Sequence, residues 1–232
     1  MDSWCCLLAL AYLFPTTVWS FASTPFNASF ARYQIYPLAS GAYSSDPSRC
    51  VKTVDEKAET HRFEVDCGLI QEKCVRFVSV LPQHKAIAIS FRGTDGTMQL
   101  LIEVFMAPVS YLHNLAQNII GNDFLNNTMY GGQVYTYFAT AFLNVWYNGG
   151  SDTIRETSMY YTVLAAIREH PEYEIWITGH SLGGAMATVC AAEMVLKEKM
   201  ILPEKVRLLT FGAPRTGDDD FASIMDSTVP VC

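Results

Sequence analysis

The sequence predicts a single α/β domain in which a mostly parallel sheet carries helices on both faces. Two observations lead there. Short β-rich runs alternate with helical stretches along the chain, with no internal repeat and no linker between them, which is the pattern of a largely parallel sheet. The chain is 232 residues long and 50% hydrophobic, enough for one sizeable core and short for two. Only 17% of residues are charged, a composition that argues against disorder.

Taken in order, residues 1–22 read as a signal peptide. The run CCLLALAYLF from Cys5 to Phe14 has the length of an apolar h-region, and Ser20 and Ala22 offer small residues before a cut at Ser23. The rival reading is a retained anchor, but Pro15, Thr16, Thr17 and Ser20 interrupt the run before it is long enough to span a bilayer. Residues 23–232 then form the domain. Residues 75–80 (VRFVSV) and 85–91 (KAIAISF) are strand-like and flank a turn at Pro82; 174–178 (EIWIT) and 205–211 (KVRLLTF) are further strands. Helices are expected over 133–147, over 152–170 with Pro171 as the stop, and over 182–199, which is dense in Ala and Met.

Charge and cysteines narrow the function classes. The net charge is −7 and no basic run is present, so nucleic acid is excluded as a partner. A neutral or amphiphilic substrate fits better, and no partner protein is evident. After removal of Cys5 and Cys6 the chain keeps Cys50, Cys67, Cys74, Cys190 and Cys232. Cys67 and Cys74 close a short loop and are the expected bridge. Cys50 then pairs with Cys232, and Cys190 is a buried free thiol in an apolar helix. No CxxC or histidine pair stands at ligand spacing, so neither metal nor cofactor is expected. Asn27 and Asn126 sit in glycosylation sequons, which agrees with an oxidising, extracellular compartment.

The residues that carry chemistry are Gly179-His180-Ser181-Leu182-Gly183, a G-x-S-x-G motif with an apolar strand before it and an apolar helix after it. A serine forced into a tight strand-to-helix turn keeps its hydroxyl exposed. Glycines two residues to either side are required because a Cβ there would meet the adjoining strand or helix. The helix starting at Leu182 aims backbone N–H groups at the same point. Ser181 is therefore the candidate nucleophile. His180 is a tempting base, but neighbours in such a turn point to different sides, so His180 is read as structural. The Asp218-Asp219-Asp220 run is read as a solvated helix N-terminus before Phe221.

GHSLGG at 179–184, FRGT at 91–94 and TFGAPRTG at 210–217 stand in the order and approximate spacing of the class 3 (fungal-type) lipases, and the chain resembles nematode members of that family from about Cys50 to Phe221. The resemblance implies an α/β-hydrolase fold, a serine ester hydrolase acting on acylglycerols at a lipid–water interface, and secretion. It implies an oxyanion hole made by Thr94, through its N–H and its hydroxyl, and by the N–H of Leu182; such donors are typically worth about 3–4 kcal/mol each. It also makes the segment 97–106 (TMQLLIEVFM) a lid, where the residues by themselves allow a lid or a core helix. One feature departs from the family. His61, His84, His113, His170 and His180 all precede Ser181, whereas the α/β-hydrolase order is Ser, Asp, His. The expectation is a truncated, weakly active form that lacks the strands bearing the family Asp and His; the alternative is a non-catalytic lipid-binding or regulatory relative.

Overall fold

The computed structural model describes residues 26–66, 73–94, 124–125, 130–147 and 158–229. The first element is a helical run, α1, over residues 28–41. Ala28–Phe30 and Tyr36–Gly41 flank a wider π-type turn at Ala31–Ile35. Ala31, Ile35, Leu38 and Ala39 are buried, a stripe at helical spacing that faces the sheet. Pro37 has no N–H, and its ring would crowd the carbonyl four residues back in a regular α-helix. The wider turn lies directly before it and gives the ring room. The sequence reading missed this helix, because Pro37 masks its period.

After α2 (Ser48–Val51) come β1 (Glu59–Asp66), β2 (Lys73–Leu81) and β3 (Ala86–Phe91), joined as antiparallel neighbours. A two-residue ladder pairs β4 (Phe124–Leu125) with β5 (Val134–Tyr135). Helices α3 (Thr136–Tyr147) and α4 (Met159–Glu169) follow. β6 (Glu174–His180) then leads into α5 (Leu182–Ala192), which continues as a π-type turn over Glu193–Lys197. The chain closes on β7 (Val206–Phe211) and α6 (Asp219–Thr228). The helix expected over 133–147 thus begins as β5, and the one expected over 182–199 widens after Ala192. Of the helix expected over 152–170, residues 159–169 are helical and 152–157 lie outside the described residues.

The five-stranded sheet has the order β1-β2-β3-β6-β7. β3 pairs parallel with β6, and β6 parallel with β7. Only β2 runs against the rest, so the sheet is mostly parallel, as expected. β1 was not foreseen: ETHRFEVD holds few apolar residues, as suits a sheet edge guarded by charge. Ile87, Ile89 and Phe91 alternate with Ala86, Ala88 and Ser90, and all six are buried. The first set packs with Phe138, Phe142, Trp146, Met159 and α5 in one core. Ala86 and Ala88, with Phe77 and Trp176, pack with Ile35, Leu38 and Val51 in a second core. Helices therefore cover both faces. Ser90 buries its hydroxyl in a 3.0 Å hydrogen bond to the Leu38 carbonyl, which ties α1 to its face.

Cys74 is disulfide-bonded, and its partner lies outside the described residues. Cys50 is a free thiol, which corrects its expected pairing with Cys232: its Cβ is packed against Gly41 of α1, and loop spacing said nothing of that contact. Cys190 is free and fully buried, and burial pushes its thiol well above the ordinary value. The leader 1–22, Cys67, the segment 97–106, His113, Asn126 and Cys232 lie outside the described residues. Asn27 is exposed and its side-chain oxygen caps α1, accepting from the Phe30 N–H. No helix among the described residues is long and apolar enough to cross a membrane.

Candidate active site

β6 carries Ile175, Trp176 and Ile177 through the core and delivers Gly179-His180-Ser181 at its carboxyl end, where α5 starts at once. Ser181 sits at φ 55°, ψ −126°, a conformation that costs an L-residue about 1–3 kcal/mol and persists only where the surroundings enforce it. The enforcement is visible on both sides. The Ser181 N–H donates to the Phe211 carbonyl of β7 at 2.9 Å, while the Ser181 carbonyl accepts from the N–H groups of Gly184 at 2.8 Å and Ala185 at 3.3 Å. A Cβ on Gly179 would collide with the Gly183 carbonyl, and one on Gly183 with the Phe91 carbonyl. The glycine spacing is thus a steric condition for bringing strand, turn and helix so close.

FRGT reaches the same place from the neighbouring strand. Phe91 stands opposite Gly179 in the parallel β3–β6 ladder, so both motifs leave the sheet from one end. Gly93 is pressed against the elbow: a Cβ built on it would lie 2.5 Å from Tyr43 Oη, 2.6 Å from the His180 carbonyl oxygen and 3.2 Å from Ser181 Cβ. Thr94 is 5% exposed, and its hydroxyl has no hydrogen-bond partner among the described residues. A buried hydroxyl left unpaired costs about 1–3 kcal/mol, which an arriving acceptor would relieve. Leu182 is buried at the first position of α5, where helix geometry supplies its N–H with no acceptor. Ser181, Thr94 and Leu182 accordingly share one end of the sheet.

Of the described histidines, only His180 stands at the elbow. His84 and His170 lie where β3 and β6 begin, at the opposite end; His84 Nδ1 is 3.5 Å from buried Asp55, and His170 stacks on Tyr173 at 4.4 Å. His61 is on β1. His180 Nδ1 lies 2.7 Å from Tyr43 Oη, and the Gly93 N–H donates to that same oxygen at 3.2 Å. Tyr43 was absent from the sequence reading; it stands 137 residues from its partner, with no local motif to mark it. Asp218 caps α6, accepting from the Phe221 N–H at 2.8 Å. That bond, ahead of weaker contributions, holds its carboxyl below the usual aspartate value. A groove of about 570 Å³ runs beside β7 and α6, lined by residues including Phe211, Thr216, Phe221 and Met225. Ser181 is not among its lining residues.

A sequence model of the lipase (class 3) family matches residues 88–231. The chain belongs to the class 3 lipase family. A lipase of Caenorhabditis elegans is 28% identical over 211 residues, covering 88% of this chain and 51% of that protein. The lipase of Rhizomucor miehei is 29% identical over 145 residues, 62% of this chain and 33% of its own length. This class 3 lipase chain thus spans about half the length of the nematode relative and a third of the fungal one. Among solved structures, lipase II from Rhizopus niveus superposes with a TM-score of 0.64 at 20% identity, covering 88% of this chain and 68% of that one. That likeness speaks for the fold, which is the α/β-hydrolase fold.

Proposed function

We propose that the chain is a secreted, lipase-type carboxylic ester hydrolase that attacks acylglycerol esters through Ser181, with Thr94 and Leu182 as oxyanion donors. The observation that carries this reading is the Ser181 backbone, held at φ 55° between a buried strand and a buried helix. Such a turn costs stability and presents one hydroxyl. Ser181 Oγ adds to the ester carbonyl carbon while the carbonyl π electrons move onto oxygen, where the Thr94 and Leu182 N–H groups and the Thr94 hydroxyl receive the charge. Collapse expels the alcohol and leaves an acyl-serine, which water hydrolyses. A protein similar to this chain, 29% identical over 142 residues, is the secreted mono- and diacylglycerol lipase 2 of Gibberella zeae; it supports the substrate class and the compartment, and the signal-like leader supports the compartment.

A serine hydroxyl needs a base for its proton, and this reading assigns that base to no described residue. Losing the histidine of such a site costs about 10⁶-fold in kcat, while the oxyanion hole and binding retain about 10³–10⁴ over water. The test is fluorophosphonate labelling and p-nitrophenyl ester turnover, with and without added imidazole as a base. Label is expected on the Ser181 peptide, with turnover rising in imidazole above the protein-free imidazole background, and both the label and that excess lost in Ser181→Ala. Labelling that survives Ser181→Ala would overturn the assignment. No labelling even in imidazole, with vesicle binding retained, would leave the lipid-binding relative instead.

A further inference from the structure

We infer that Tyr43 is a positioning residue for this site: its hydroxyl fastens the FRGT turn to the nucleophile elbow, an inference that rests on the hydrolase reading above. The Gly93 N–H donates to Tyr43 Oη at 3.2 Å, and Oη lies 2.7 Å from His180 Nδ1. The Tyr43 oxygen thus joins the Gly93 N–H to His180 Nδ1 through two hydrogen bonds. Each end stops one residue short of a functional group. Gly93 precedes Thr94, and His180 precedes Ser181.

The Arg92 N–H makes a ladder-type bond to the Val75 carbonyl at 2.8 Å, and Gly93 is the first amide past it. The bond from its N–H to Tyr43 adds a directional restraint on the turn that carries Thr94. Tyr43 is itself braced. It follows α1, which is held to the sheet by its buried stripe and by Ser90, and its own N–H donates to the Ser40 carbonyl at 3.1 Å. Tyr43 is 40% exposed, and its hydroxyl is the part that reaches the site. A 1 Å error in such an element costs about 10²-fold in rate; one restraining hydrogen bond among several accounts for less.

The experiment compares wild type, Tyr43→Phe, His180→Asn and His180→Phe in the full chain. Fluorophosphonate inactivation at Ser181 in imidazole is resolved into kinact and KI, and amide exchange at Gly93 and Thr94 and the thermal midpoint are measured alongside. Tyr43→Phe should lower kinact about tenfold with KI unchanged, the equivalent of one hydrogen bond, and should speed Gly93 exchange about tenfold. Asn places its Oδ1 near the position of Nδ1, so His180→Asn should recover most of the kinact that His180→Phe loses; a packing role predicts the reverse order. Wild-type kinact and wild-type Gly93 exchange in Tyr43→Phe would overturn the inference, as would equal kinact in the two His180 variants. If wild type takes no label at all, the hydrolase reading falls, and Gly93 exchange alone then decides for or against Tyr43.

Discussion

One methyl group at Gly93 tests how closely the FRGT turn is seated on the elbow. A Cβ there would stand 2.6 Å from the His180 carbonyl oxygen and 2.5 Å from Tyr43 Oη, where ordinary contact begins at 3.4 Å. The Tyr43 hydroxyl is the far end of a flexible side chain and gives way by stretching its bonds to Gly93 and His180. The His180 carbonyl belongs to β6, which is laddered to β3 on one side and β7 on the other, so it stays. Relief then falls on the turn, which must retreat by about 0.8 Å, the shortfall of 2.6 Å against 3.4 Å. Thr94 travels with it. Overpacking of this kind costs about 1–3 kcal/mol, and near 1 Å of misplacement costs about 10²-fold in rate. For a domain of this size each kcal/mol moves the thermal midpoint by about 2–4 °C, so Gly93→Ala should melt roughly 2–12 °C lower. Gly93 is not among the positive-φ glycines, so the effect is steric. Calorimetry and the Ser181 labelling rate read the two numbers. A Gly93→Ala protein that melts and labels like wild type would show that the turn does not rest on the elbow.

Two more outcomes follow from the same structure. Ser181→Gly removes the strain at φ 55° and should raise stability by about 1 kcal/mol while abolishing labelling; a lower urea midpoint would mean that the serine side chain holds the elbow together. Tyr130 is 2% exposed and donates to fully buried Glu193 at 2.5 Å; burial first, then that hydrogen bond, raise its pKa above the ordinary 10.0. With the folded value above the unfolded one, the unfolded chain ionises first, so this contribution is intact below about pH 10 and is lost as pH rises beyond it. The urea midpoint should fall above pH 10 with a shallower slope in Tyr130→Phe, and an unchanged slope would refute the assignment.

The elbow was legible because its rules are local. Gly179 is constrained by Gly183 four residues on, and the Ser181 carbonyl is held by Gly184 and Ala185, so spacing announced the strained serine, while the Phe91 carbonyl that confines Gly183 comes from β3. Alternating runs disclosed the class of fold for a similar reason, since strand and helix each impose a short period on burial. Asp218 was recognisable as a cap because its partner, Phe221, is three residues away.

What the sequence concealed depends on partners far apart in the chain. β1 carries ETHRFEVD, and only pairing with β2 makes a strand of it. α1 hides its period behind Pro37, and its burial needs the far face of the sheet. Glu193 interrupts an otherwise apolar helix, yet it is fully buried because Tyr130, Tyr147 and Lys197 converge on its carboxylate from other turns and elements. Tyr43 meets His180 across 137 residues. By itself the sequence determined the class of fold and the strained turn at Ser181, consequences of short-range sterics and periodicity, and the resemblance of its three motifs pointed to the family. Only the tertiary structure decided the strand order, the lone reversal of β2, the free thiol of Cys50 and the hydroxyl that joins Gly93 to His180. Those rest on which distant surfaces exclude water together, and no local pattern encodes that choice.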